Sequence, residues 1–128
     1  MDPASFYYYF KIVMKKFNVT LILPDEKQYT LQVPEDQHIL DIALKAGIDL
    51  PYSCLQGWCL SCAAKIIRGT INQEDSLRYF EEDRKEGFAL LCTGKPESDL
   101  VLRTHANEEM RNSRQKLKLP HPKGKWGH

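Results

Sequence analysis

The sequence predicts a single α+β domain, and three observations carry that prediction. Two runs of alternating apolar residues over positions 17–33 are joined by a short polar turn, an amphipathic helical stretch follows directly, and short strand-like runs recur after residue 62. At 128 residues, 42% of them apolar, the chain has room for one domain with a modest core.

The elements follow in order. Residues 1–16 hold the aromatic run Phe6-Tyr7-Tyr8-Tyr9-Phe10 without a helical or strand period and are expected to be a flexible extension, of which residues 1–13 add little to folding. Phe17, Val19, Leu21 and Leu23 then alternate with Asn18, Thr20 and Ile22. Pro24-Asp25-Glu26-Lys27 supplies a turn, and Tyr29, Leu31 and Val33 alternate with Thr30 and Gln32, which together read as a β-hairpin. Pro34-Glu35-Asp36 closes it, with Asp36 placed to cap a helix. Ile39, Ile42, Ala43 and Ala46 make one apolar stripe, and Gly47 stands where a helix should end. Ala63–Arg68 reads as a short strand ending at Gly69, and Ser76–Glu86 as a charged, helix-compatible stretch closed by Gly87. Phe88–Cys92 and Asp99–Arg103 read as strands. Past His105 the apolar period fades. Asn107–Lys118 has the composition of a short helix, but Pro120-His121-Pro122-Lys123-Gly124 cannot be regular structure. The domain is therefore expected over residues 17–109, with residues 110–128 as a basic tail beyond it.

The formal net charge of +1 hides an asymmetry. The tail carries Arg111, Arg114, Lys116, Lys118, Lys123 and Lys125 and no acid, and residues 1–16 carry Lys11, Lys15 and Lys16 against Asp2. That leaves 9 Lys and Arg against 16 Asp and Glu in residues 17–109, a net of −7. A nucleic-acid role for the tail is poorly supported, because six cations without interleaved aromatics give only weak, salt-sensitive affinity. No apolar run approaches the roughly 18 residues that span a bilayer. The opening Met1-Asp2-Pro3-Ala4-Ser5 lacks the pattern of a secretory signal and is too acidic, and too poor in Arg and Ser, for a transit peptide. The expectation is a soluble monomer of a reducing compartment, cytoplasmic, or of the plastid stroma if a transit peptide has been removed.

In such a compartment four cysteines read as ligands or thiols rather than two disulfides. Cys54, Cys59 and Cys62 follow the spacing C-x4-C-x2-C, and Cys92 comes after 29 intervening residues. A structural zinc site pairs two C-x2-C knuckles, and only one is present. Four unligated cysteines would be odd, because three lie in a polar loop that contains Gly57. The spacing matches the one used for [2Fe–2S] clusters, where one loop delivers three thiolates and small residues let backbone N–H groups face the sulfurs. Gly57 suits that role, and Ser53 and Ser61 are the hydroxyls nearest the ligands.

Pro51-Tyr52-Ser53-Cys54, the Cys54–Cys62 loop, Gly69-Thr70-Ile71, Gly87-Phe88-Ala89-Leu90-Leu91-Cys92, Pro96-Glu97-Ser98-Asp99 and Thr104-His105 together resemble the plant-type ferredoxins of chloroplasts and cyanobacteria. The resemblance runs from about Phe17 to Glu109. It implies a β-grasp fold with one helix packed across a mixed sheet, and one [2Fe–2S] cluster near the surface that carries one electron. Cys54 and Cys59 would bind the more exposed iron, and Cys62 and Cys92 the inner one. The partners implied are redox proteins of reductase or photosystem type, with no small-molecule substrate and no bond chemistry.

The chain departs from this family on the surface that meets partners. Photosynthetic members commonly have Arg-Ala-Gly-Ala between the first two cysteines, and here the segment is Leu55-Gln56-Gly57-Trp58. Trp58 is placed either to shield the cluster or to touch a partner. Leu60 stands where most members have Ser, Arg78 where most have an aromatic, and Asn107 where most have Glu. Neutral drift on a tolerant surface is one account. The other is a minor ferredoxin with restricted partners, since bulk photosynthetic ferredoxins are strongly acidic and that charge steers them onto basic docking sites. A rival class is a regulatory or assembly protein whose cluster senses iron or oxygen and whose tail binds a target.

Overall fold

Alternation places one face of each hairpin strand in the core. β1 (Lys16–Ile22) buries Val19 and Leu21 completely, and β2 (Gln28–Pro34) buries Val33, while Thr20 and Thr30 meet on the opposite face at 3.0 Å. The computed structural model describes residues 15–52 and 60–121, in which the chain continues through α1 (Ile39–Lys45), β3 (Ala63–Arg68), β4 (Ile71–Asn72), α2 (Glu81–Lys85), β5 (Phe88–Leu90), β6 (Lys95–Pro96), β7 (Leu100–Arg103) and α3 (Asn107–Lys116). Five strands form a mixed sheet in the order β2-β1-β7-β3-β5, with β1 and β7 parallel and the other pairs antiparallel. This is the β-grasp arrangement. β4 and β6 form a separate two-residue ladder, too short to show a period in the sequence.

Helix α1 buries Ile39, Leu40 and Ala43 against the sheet, with Ile42 half-buried and Ala46 exposed. The apolar stripe is thus rotated toward Leu40 from the one expected. The cap also differs. Gln37 N–H donates to Pro34 C=O at 3.1 Å, so Asp36 falls within a turn and His38 is the N-cap, with an extended backbone and no side-chain cap bond. The first two helical amides need no cap, because Ile39 and Leu40 donate to Gly94 C=O and Leu91 C=O, each at 2.9 Å. Gly47, at φ +83°, ends the helix as expected.

The stretch expected to be helical from Ser76 is helical only over α2. Its first turn is fixed by Asp83, whose carboxylate accepts the Phe80 N–H at 2.9 Å. β5 stops at Leu90 rather than Cys92, because Gly94 N–H turns back to Leu90 C=O at 2.9 Å. That turn requires glycine. A Cβ at Gly94 would lie 2.6 Å from Ile71 Cδ1 and 2.9 Å from Leu90 O.

The domain limit expected at Glu109 falls inside α3, which runs through it without a break. Met110 is fully buried, and so is Arg114. Arg114 forms a bidentate pair with Asp83, Nε to Oδ1 at 3.2 Å and Nη2 to Oδ2 at 2.9 Å. The guanidinium also donates to Arg78 C=O and Pro120 C=O and stacks on Phe80 at 4.9 Å. The residues past Glu109 therefore begin as part of the packed domain. Among the described residues no helix is long and apolar enough to cross a membrane.

Candidate metal centre

Cys62 directly precedes β3 and Cys92 lies two residues past β5. Those strands pair antiparallel with Ala63 opposite Leu90, so the ladder brings both cysteines to one end of the sheet. The pairing continues beyond the strands: Leu91 N–H donates to Cys62 C=O at 3.2 Å, and Cys92 N–H points at Cys62 Sγ at 3.3 Å. Both cysteines are 4% exposed. Leu40, Leu50 and Leu91 line the crevice beside Cys62, together with Thr104 and His105.

The approach to Cys62 is set by Leu60, which is fully buried at φ +67°. A leucine in the left-handed region costs on the order of 1–2 kcal/mol, and burying its side chain contributes a comparable amount in return. The Leu60 carbonyl accepts Ala63 N–H at 3.1 Å, making the turn that carries the half-buried Ser61 and then Cys62 into the sheet. Leu60 is therefore a core anchor, not a surface substitution.

A backbone N–H aimed at a buried cysteine sulfur suits a thiolate that carries negative charge into a cluster. The described part of the site fits a sulfur-bound iron group on those grounds. Ser53, Cys54, Gly57, Trp58 and Cys59 lie outside the described residues. Of the two positions expected to face partners, Arg78 is exposed on the segment between β4 and α2, and Asn107 is half-buried as the first residue of α3.

Sequence reasoning missed the groups that hold the Cys92 turn in place. Gln73 is 5% exposed, and its amide meets both backbone groups of Leu90: Oε1 accepts the N–H at 2.7 Å, and Nε2 donates to the C=O at 3.2 Å. Tyr79 Oη donates to Phe88 C=O at 2.6 Å, and burial pushes the phenol up to about 12. His38, Asp75 and Lys95 form an exposed cluster joining the start of α1 to β6, with Asp75 Oδ2 2.8 Å from His38 Nε2 and 2.9 Å from Lys95 Nζ. The hydrogen bond from His38, followed by that from Lys95, holds the Asp75 carboxyl below the usual carboxylate range. No residue type or spacing marked these groups in advance.

The 2Fe-2S iron-sulfur cluster binding domain family matches residues 22–97. Ferredoxin-2 of Synechococcus sp. is 41% identical over 97 residues, covering 76% of this chain and 91% of that protein. Ferredoxin-6, chloroplastic, of Zea mays is 34% identical over 92 residues, covering 72% of this chain and 59% of that protein. The crystal structure of Pectocin M2 superposes with a TM-score of 0.67 at 32% identity, over 75% of this chain and 35% of that one. This chain thus spans about a third of that protein's length.

The chain belongs to the 2Fe-2S iron-sulfur cluster binding domain family. Within it the chain is a plant-type ferredoxin, a one-electron carrier with a [2Fe–2S] cluster.

Proposed function

We propose that Cys54, Cys59, Cys62 and Cys92 hold one [2Fe–2S] cluster per chain, with Cys62 and Cys92 on the inner iron. The observation that carries this reading is the pair of buried sulfurs at the end of the β3–β5 ladder, with the Cys92 N–H 3.3 Å from Cys62 Sγ. When bound, the cluster supplies a centre that takes up and gives back one electron. The chain's own work is to exclude water on the Leu40, Leu50 and Leu91 side and to offer the Cys92 amide to negative sulfur. It performs no bond chemistry. Iron and acid-labile sulfide measured in four Cys→Ala variants test the ligand set. Each variant should fail to keep a stable two-iron cluster, and full content in any one removes that residue from the set.

The same reading extends to partners. The carrier takes electrons from a reductase or photosystem-type donor and passes them to a restricted set of protein acceptors. This is supported by the segment between β4 and α2, which exposes Leu77 and Arg78, while Tyr79 and Phe80 are engaged internally by Phe88 and Arg114. The protein works as a monomer, in cytoplasm or in plastid stroma. The second location is supported by the chloroplastic relative from Zea mays.

A further inference from the structure

β5 is the last strand on its side of the five-stranded sheet. Alternate residues serve the ladder with β3: Gly87 C=O accepts Ile66 N–H at 2.7 Å, and Leu91 N–H reaches Cys62 C=O. The backbone groups of Phe88 and Leu90 point the other way, toward the sheet edge, yet both residues are buried, at 4% and 0% exposure. Buried edge groups without partners are costly, and a sixth strand would ordinarily meet them. Here side chains of the segment between β4 and α2 meet the Phe88 C=O and both groups of Leu90, the Leu90 C=O being shared with the Gly94 N–H. Tyr79 takes Phe88 C=O, and Gln73 takes both the N–H and the C=O of Leu90, presenting one donor and one acceptor as a strand residue would.

Leu90 is also where the ligand turn begins. From it the chain folds back at Gly94, with Cys92 between them. Gln73 Nε2 donates to Ser76 Oγ at 2.9 Å, and Ser76 Oγ meets Thr93 Oγ1 at 2.6 Å. One network, buried at Gln73 and Thr93 and half-buried at Ser76, thus fastens the residue where the turn starts and the residue just after the cysteine.

We propose that Gln73 is a positioning residue for Cys92. Through Leu90 directly, and through Ser76 to Thr93, it fixes the peptide from which Cys92 presents its sulfur and aims its N–H at Cys62 Sγ. The inference rests on the reading that Cys62 and Cys92 are ligands, and it concerns cluster retention and electronic state. Groups that orient metal ligands typically change affinity by about 10- to 100-fold when removed.

The test compares the holo-proteins of wild type, Gln73→Met, Ser76→Ala and Tyr79→Phe. Tyr79→Phe strips a bond from the same edge strand without touching the ligand turn, and so reports purely structural loss. Melting temperature, the EPR signature of the reduced cluster and the rate of iron release to a chelator are measured for each. Gln73→Met is expected to release iron about 10- to 100-fold faster and to alter the EPR signature. Ser76→Ala should shift both in the same direction by less, and Tyr79→Phe should lower the melting temperature with a wild-type signature. If iron release merely tracks the loss of melting temperature across all three variants, the positioning role is wrong. Should Gln73→Met fail to fold, Ser76→Ala decides, and a wild-type signature and release rate there overturn the proposal. Cys92→Ala separates the two layers of inference. A full cluster in Cys92→Ala sinks the ligand reading and this proposal together, whereas a lost cluster beside a wild-type Gln73→Met sinks only the positioning role.

Discussion

Two residues show how local cost is offset by packing near the ligands. Leu60 holds a left-handed backbone conformation that leucine disfavours, and its side chain is fully buried beside the ligand turn. Tyr79 is half-buried with its hydroxyl donating to Phe88 C=O, and its ionisation is pushed from the ordinary value of 10.0 up to about 12 by burial. The neutral phenol is the form the fold favours. Its contribution to stability is fully present below pH 10 and is lost as pH rises through about 12. The difference in unfolding free energy between wild type and Tyr79→Phe, measured by urea denaturation, should be constant up to about pH 10 and shrink toward pH 12. A constant difference across that window would show that the phenol does not titrate with folding.

At the scale of elements, α3 is held by one buried ion pair. Asp83 and Arg114 are each 1% exposed at the side chain, and Arg114 links α3 to the carbonyls of Arg78 and Pro120. Removing one member leaves the other buried and unpaired, which costs about 3–5 kcal/mol, whereas replacing both with apolar residues of similar volume is often neutral. Arg114→Met should therefore destabilise the domain by about that amount in urea unfolding, and Arg114→Met with Asp83→Leu should recover most of it. If the double change is as unstable as the single one, the other bonds of these side chains (Asp83 to the Phe80 N–H, Arg114 to the Arg78 and Pro120 carbonyls) and the packing on Phe80, rather than the ion pair, hold the helix. Cutting the chain after Glu109 would strip away Met110 and Arg114 together, so α3 belongs in any form of the protein used to test partner binding.

At the scale of the molecule, the acidic body and basic end are less separate than the charge count suggests. Arg114 is neutralised by Asp83, and Arg111 by Glu108 at 2.8 Å, while Lys116 and Lys118 stay exposed. A ferredoxin reductase with a basic docking surface should still meet this protein slowly at low salt, because Arg78 and the two lysines repel it and salt screens that repulsion. Reductase-coupled cytochrome c reduction should run well below that of an acidic photosynthetic ferredoxin at low ionic strength, with the gap narrowing as salt rises. Arg78→Phe with Asn107→Glu should recover much of the rate. Parity of the unmodified protein at low salt would end the restricted-partner reading.

The hairpin, the β3 strand, the place of α1 and the cysteine spacing were legible because each is written in neighbouring residues. Alternation over seven positions places Val19, Leu21 and Val33 inward, and the short stretch from Cys54 to Cys62 keeps three cysteines together. Polar residues read as solvent-facing by default, so nothing in the sequence marks Gln73, Asp83 or Arg114 as buried. Their burial depends on partners 17 and 31 positions away in the chain, supplied only when β5 becomes an edge and α3 folds back over α2. The same holds for the start of α1, where backbone carbonyls of Leu91 and Gly94 replace the cap that Asp36 was placed to give. The sequence by itself determined the hairpin, β3, the place of α1 and the cysteine spacing, because periodicity and residue type are local. Only the tertiary structure decided which polar groups hold the Cys92 turn and where the domain ends, because an unpaired buried polar group is costly and its partner is chosen in space.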